Sequence, residues 1–79
     1  MTEQAIQKKR ANQLEKEGYF VIKLINTNVN GIPDLLAIHP EKGVLFSEIK
    51  KPNGVLSDLQ KYRLKQLKEY GCRTEVYRG

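Results

Sequence analysis

The pattern of apolar and polar residues along this chain predicts two helices and four strands. Residues 3–17 are rich in Gln, Lys, Ala and Glu, which favour helix, and Thr2 precedes them as an N-cap residue. A second helix is predicted from Ser57 to about Tyr70, where Gly71 ends it. β-Branched and aromatic runs predict strands at 19–25, 34–39, 44–50 and 74–77.

This order of elements, αβββαβ, predicts an α/β fold. The first three strands follow one another closely and can form an antiparallel meander, whereas the second helix is a crossover that lets the last strand lie parallel to the third. The result is a mixed four-stranded sheet, and helices must flank it because its apolar faces need cover. The 79 residues are expected to form a single domain, 1–79.

The predicted hairpin of the second and third strands brings two carboxylates together. If residues 40–42 form its turn, the apolar residues of the two strands face one another. The expected pairs are His39 with Gly43, Ile38 with Val44, Leu36 with Phe46 and Asp34 with Glu48. Opposed Cβ atoms lie ~4.5–5.5 Å apart, and a slip of one residue would pair Asp34 with Ile49 and spoil the apolar matching.

Two carboxylates this close repel each other unless a cation lies between them. Carboxylate oxygens suit Mg²⁺, which keeps several waters and takes one or two protein carboxylates. The backbone carbonyl of Ile49 is a further candidate ligand. Lys50 shares a face with Glu48 and can position or deprotonate a water, or neutralise charge on a phosphate. The alternative is that Glu48 and Lys50 form an ion pair and that Asp34 merely follows a proline turn.

Two other polar residues have two interpretations each. Gln60 falls within the apolar stripe of the second helix, where it can reach the carboxylates, the attacking water or the phosphate. That stripe consists of Leu56, Leu59, Leu67 and Tyr70. Gln60 is equally well placed to complete a capping box with Ser57. Glu3 shares a helix face with Ile6 and Leu14 and is a candidate extra carboxylate near the metal, although acidic residues commonly occur at helix N-termini for their charge alone.

The net charge narrows the class of partner. The chain has 14 Lys and Arg against 9 Asp and Glu, a formal charge of +5. A basic balance favours phosphate-rich partners such as nucleic acid, although many basic domains bind nothing specific. The clustered basic residues predicted to contact a DNA backbone are Lys8, Lys9, Arg10, Lys51, Lys61, Arg63, Lys65 and Lys68.

Composition excludes several other classes of protein. The single cysteine, Cys72, cannot form an intrachain disulfide or, alone, a zinc site, and His39 is given no catalytic role. No apolar run approaches the ~20 residues of a membrane span, and no signal-peptide pattern is present. A soluble, intracellular and cytoplasmic protein is expected. A chain this short is marginally stable alone, which favours a homodimer.

Four segments in order resemble the VRR-Nuc family of the PD-(D/E)xK nuclease superfamily. They are Gly-x-Pro-Asp at 31–34, Glu-x-Lys-x-Pro-x-Gly at 48–54, Ser-x-x-Gln at 57–60 and the start of the chain at 2–7. Together they span nearly the whole sequence. The resemblance implies a restriction-endonuclease-like core.

The resemblance also implies roles for individual residues. Asp34 and Glu48, with the carbonyl of Ile49, would bind Mg²⁺ or Mn²⁺. Lys50 and Gln60 would be catalytic, and Glu3 would be a ligand or orient a water. Gln60 is thereby assigned to the active site.

A chain that consists of this module alone resembles small phage-borne members of the family, which are similar in fold to Holliday junction resolvases. We therefore expect a homodimeric, metal-dependent endonuclease of a phage or bacterial host that cuts branched DNA such as a four-way junction, a repair-type activity. The absence of appended domains leaves substrate preference open. The alternatives are a nicking or flap nuclease of broader range, a non-catalytic nucleic-acid-binding module, and a small basic accessory protein.

Overall fold

The computed structural model describes all 79 residues and contains one mixed four-stranded sheet flanked by two helices. In chain order the elements are α1 (Glu3–Lys16), β1 (Phe20–Lys23), β2 (Leu35–His39), β3 (Gly43–Lys50), α2 (Asp58–Glu69) and β4 (Arg73–Arg78). The sheet order is β1-β2-β3-β4, with the first three strands antiparallel and β4 parallel to β3. The predicted αβββαβ order, meander and crossover are confirmed.

Both helices begin at the residues that their caps predict. The hydroxyl of Thr2 accepts a hydrogen bond from the backbone N–H of Ala5 at 3.1 Å, and Ser57 caps α2 in the same way. The helix ends agree with the prediction to within one residue, because Gly18 and Gly71 both adopt positive φ just beyond them.

The first strand is shorter than predicted. Tyr19 lies in the core before β1 begins, and Asn26, with a φ of 56°, turns the chain soon after β1 ends. Asparagine tolerates this left-handed conformation better than most residues. The N–H of Leu24 still donates to the carbonyl of Asp34 at 2.9 Å, so the chain leaves β1 beside the start of β2.

Helix α1 covers one face of the sheet and builds the core. The buried hydrophobic residues are Ile6, Ala11, Leu14, Tyr19, Leu35, Ala37, Leu45 and Ile49. A polar contact fixes the helix beside them. Arg10 donates to both carboxylate oxygens of Glu75 at 2.7 and 2.8 Å, and Ser47 donates to the same carboxylate at 2.6 Å. The hydrogen bond that Arg10 donates to Glu75 raises the pKa of Arg10, so the guanidinium stays charged.

Helix α2 lies on the other face and covers it only in part. Its closest association is with β4, and none of its residues is buried. Within the predicted apolar stripe, Leu56 and Leu67 are half-buried, whereas Leu59 and Tyr70 are exposed. Neither helix has the length and apolar character that a membrane-spanning helix needs.

Candidate active site

The β2–β3 hairpin has the register that the sequence predicts. The paired positions run from His39 opposite Gly43 to Leu35 opposite Ser47. The next pair beyond the ladder is Asp34 opposite Glu48, because β2 begins one residue after Asp34. The Asp34 side chain takes up a free backbone donor at this end, accepting a hydrogen bond from the N–H of Ile49 at 2.8 Å.

Glu48 is a buried acid at the centre of this group. Its residue is 3% exposed, and its carboxyl group is within hydrogen-bonding reach of that of Asp34. Burial, first, and then the charge and hydrogen bond of Asp34 and the charge of Glu3 together raise the pKa of Glu48 to about 8, against the opposing charge of Lys50. In the metal-free protein, Glu48 is therefore largely protonated at neutral pH.

Gln60 satisfies both interpretations that the sequence allows. Its Oε1 accepts from the N–H of Ser57 at 2.9 Å, and the Ser57 hydroxyl accepts from the N–H of Gln60 at 3.1 Å, which completes the capping box. The Nε2 group of the same amide points to Oε2 of Glu48 at 3.4 Å, a long hydrogen bond. The cap therefore holds the amide with its donor side toward the carboxylates.

Lys50 is held against the loop that follows β3. It is half-buried, and a Cβ at Gly54 would lie 3.3 Å from its Cδ and 3.2 Å from the carbonyl oxygen of Lys51. A side chain at position 54 would thus push the lysine stem away. This contact gives a physical reason for the last glycine of the Glu-x-Lys-x-Pro-x-Gly segment.

Arg78 is a site-supporting residue that the sequence did not reveal. Its guanidinium donates to the carbonyls of Gly54 and Lys51, which fastens the loop after β3 to the end of β4. Arg78 pairs with Lys50 in the parallel β3–β4 ladder. A basic residue at the end of the last strand is the only sequence signal for Arg78. Its carbonyl partners follow only from the register of β4 beside β3.

Gly31 lets α2 approach the site. It has a φ of 77°, and a Cβ there would lie 2.6 Å from Cγ of Leu59. Arg63, one turn later in α2, donates from Nε to the carbonyl of Asn30 at 2.7 Å. The helix is thereby tied to the loop that leads into Asp34, and its first turn, with Gln60, is placed over the acids.

The donor set suits a hard divalent cation with few protein ligands. No group of three or more His, Cys, Asp or Glu side chains is arranged to hold a metal ion, so Glu3 lies near the two acids without completing a three-carboxylate cluster. Mg²⁺ accepts one or two carboxylates and fills its other positions with water and phosphate oxygens. Asp34 and Glu48 fit that chemistry. They do not make a zinc site, because zinc is bound by three or four protein ligands.

A model of the VRR-NUC domain family matches residues 1–79. The chain belongs to the VRR-NUC family. The resemblance carried by its four segments is thus confirmed, and membership indicates a PD-(D/E)xK-type nuclease, a hydrolase with DNA as its substrate. A search of curated proteins found no match.

Exposed basic residues of this VRR-NUC domain lie on both helices and on the loop after β3. Six of the predicted DNA contacts are exposed lysines: Lys8, Lys9, Lys51, Lys61, Lys65 and Lys68. The two arginines in that prediction are instead held by protein groups, Arg10 by Glu75 and Arg63 by Asn30. Lys23, which was not predicted, lines a surface recess with Lys8 and Asp34. These two lysines bring positive charge to the edge of the carboxylate pair.

Proposed function

We propose that this VRR-NUC protein is a divalent-metal-dependent DNA endonuclease that acts as a homodimer on branched DNA such as a Holliday junction. The observation that carries the proposal is the register of the β2–β3 hairpin, which brings Asp34 opposite the buried Glu48, with Lys50 on the same face of β3. Hydrolysis adds water across a phosphodiester P–O bond and leaves one phosphate end and one hydroxyl end. A nuclease needs a positioned water, a neutralised phosphate and a held backbone for that step.

The acids would supply the metal site. Asp34 and Glu48 would bind Mg²⁺ or Mn²⁺ together with the carbonyl of Ile49. The bound cation would polarise the phosphoryl oxygen and lower the pKa of a water. Glu3 lies close enough to affect Glu48 electrostatically, and this proximity supports a role for it in orienting a bound water.

Two side chains would act on the reacting groups. The ammonium group of Lys50 forms no salt bridge in the structure and would hold the attacking water or stabilise charge on the phosphate. The Nε2 group of Gln60 would donate to the same water or to a phosphate oxygen, in the orientation that its capping contact with Ser57 fixes. The exposed lysines would hold the DNA backbone, and binding would weaken steeply with salt.

The test is cleavage of labelled DNA. The chain is incubated with a four-way junction and with flap, nicked and linear duplexes, with and without Mn²⁺. We expect cutting only with the metal and a preference for the junction. Asp34→Asn and Glu48→Gln should abolish cutting while DNA binding persists, and Glu69→Gln, an exposed acid at the end of α2, is the matched control.

Each outcome bears on a different part of the proposal. Cutting by either site variant in a clean preparation would refute the site assignment. Equal cutting of every substrate would favour the broader nicking or flap nuclease. DNA binding without any cutting, together with no divalent-ion binding by calorimetry, would identify a non-catalytic module. No affinity for DNA at low salt would favour an accessory protein.

A further inference from the structure

One half of the sheet face that carries α2 has no cover within the chain. The three antiparallel strands place six apolar side chains on this face in two rows across the sheet. The rows are Phe20, Ile38 and Val44, and Ile22, Leu36 and Phe46. We call these six residues the open face. Phe20, Ile22 and Ile38 are exposed by 68%, 36% and 39%, because α2 lies over β4 instead.

Helix α2 forms a wall beside the open face. Leu59 and Tyr70 share one helix flank at i, i+11 spacing, and Arg63 lies between them on the same flank. Leu59 and Arg63 contact the loop of Asn30 and Gly31, which joins β1 to β2, so this flank is turned toward the open face. Leu59 and Tyr70 are nevertheless 41% and 80% exposed. The open face is the floor and this flank of α2 is the wall of an apolar recess.

The apolar character of the recess excludes nucleic acid as its partner, although the basic surface elsewhere favours nucleic acid. None of the six residues of the open face is charged or polar, although the chain has a net charge of +5. Nucleic acid binds through cations and hydrogen-bond donors, and the recess offers neither on its floor. Exposed apolar patches of this kind on small proteins mark contacts with other proteins.

The area of the recess is what a dimer of this size needs. A standard interface buries ~800 Å² per partner, about 65% of it apolar in homodimers, or roughly 500 Å². Aromatic side chains offer ~200 Å² each, so the exposed fractions of Phe20 and Tyr70 supply roughly 300 Å². Ile22, Ile38 and Leu59 add to this. A two-fold contact uses the same patch on both copies, and the six residues of the open face carry no charge that would repel the second copy.

We propose that two copies of this chain associate through the open face and the Leu59–Tyr70 flank of α2. The wall of each copy then covers the bare strands of the other. This inference rests on the homodimer proposed above and names its surface. The acids themselves are not part of this surface, because Asp34 and Glu48 form the next row along the strands, beyond Leu36 and Phe46 on the same face.

The test introduces a charge at the centre of the surface. Phe20→Lys and Ile38→Lys place an ammonium group on side chains that are exposed in the single chain, so the fold should persist. Ile25→Lys is the matched control, since Ile25 is 73% exposed but borders a recess with Gln4 and Gln7 of α1. Phe20→Leu is a second control that keeps the surface apolar. Mass is measured by light scattering and sedimentation equilibrium over a range of protein concentrations.

We expect the wild-type chain and both controls to be dimers. The two surface variants should have dissociation constants about 100-fold higher or more, because each ammonium group would be buried against the apolar flank of α2 in the other copy. Their circular dichroism and Mn²⁺ binding should match the wild type. If either variant fails to fold, concentration-dependent protection of the β1 amides from hydrogen exchange in the wild type tests the same contact.

The outcomes separate the two proposals. A wild-type chain that is monomeric at every concentration overturns the homodimer and the surface together, whatever the DNA assay shows. A wild-type dimer that persists in both folded variants overturns the surface alone. Loss of cleavage in the Asp34 and Glu48 variants with an intact dimer leaves the surface standing.

Discussion

Metal binding to this VRR-NUC domain should release a proton, because Glu48 must lose one before it can bind a cation. Its pKa in the metal-free protein is raised from 4.5 to about 8 by burial and by Asp34. At pH 7 such a carboxyl group is about 90% protonated, so binding one divalent ion should release about 0.9 proton. At about pH 9 the release should fall to roughly 0.1, and the affinity should rise about tenfold per pH unit up to about pH 8.

The assay is titration calorimetry with Mn²⁺ in buffers of different ionisation enthalpy. The observed heat varies linearly with the buffer's ionisation enthalpy, and the slope is the number of protons released. Glu48→Gln should abolish binding. Asp34→Asn removes one source of the raised pKa and should weaken binding while shifting its pH dependence to lower pH. Glu69→Gln should behave as the wild type, since that acid is exposed and remote.

Two results would refute the reasoning. A slope of zero at pH 7 together with tight binding would mean that Glu48 is already ionised or is not a ligand. Binding that survives Glu48→Gln would place the cation elsewhere.

Three further predictions concern folding and DNA contact. Gln60→Glu should keep the helix cap, and hence the melting temperature, yet lose cleavage, whereas Gln60→Ala should lose cleavage and about 1 kcal/mol of stability; cleavage by Gln60→Glu would show that its amide donor is not needed. Gly31→Ala should destabilise the protein by about 2 kcal/mol or more in urea unfolding, since its φ is positive and the new Cβ meets Leu59; an unchanged midpoint would contradict the close approach of α2. Lys61→Ala and Lys65→Ala should each weaken DNA binding and lower the slope of its logarithm against that of salt by about 1, as measured by fluorescence anisotropy, and an unchanged slope would mean that the lysine makes no phosphate contact.

The raised pKa of Glu48 should also make the free energy of unfolding depend on pH. A folded-state pKa above the unfolded value adds stability that is present below about pH 4.5 and is lost as pH rises through about 8. At about 1.4 kcal/mol per tenfold change the loss is at most about 5 kcal/mol, and solvent screening beside half-exposed Asp34 reduces it to about 2–3 kcal/mol. In urea unfolding without metal, the stability of Glu48→Gln relative to the wild type should therefore increase above pH 8. Equal pH profiles for the two proteins would contradict this.

Much of the fold follows from local pattern. Caps at Thr2 and Ser57, the glycines after each helix and the apolar matching of the hairpin each involve residues near in sequence, so a single chain reveals them. The register of the hairpin in turn places Asp34 opposite Glu48. The length of β1 was wrong because Tyr19 packs into the core, and strand propensity does not distinguish a core residue from a strand residue.

The rest of the site depends on contacts between distant segments. Arg78 meets Gly54 and Lys51 only because β4 lies beside β3, and Arg10 meets Glu75 across 65 residues. Hydrophobic periodicity predicts which side of a helix is apolar but not where along the sheet that helix lies. The open face went unpredicted for the same reason, since α2 was expected to cover the sheet.

The candidate site is assembled from the ends of elements, and this explains why its residues serve folding and chemistry together. Asp34 is the last loop residue before β2 and accepts a hydrogen bond from the N–H of Ile49, while Gln60 caps the first turn of α2. Element ends leave backbone groups unpaired, and side chains that satisfy them are held in one orientation. An alanine at either position would remove a hydrogen bond as well as a reacting group. Loss of activity in an alanine variant would then have two causes. Asp34→Asn and Gln60→Glu keep an acceptor oxygen for the backbone, so these substitutions isolate the chemical role.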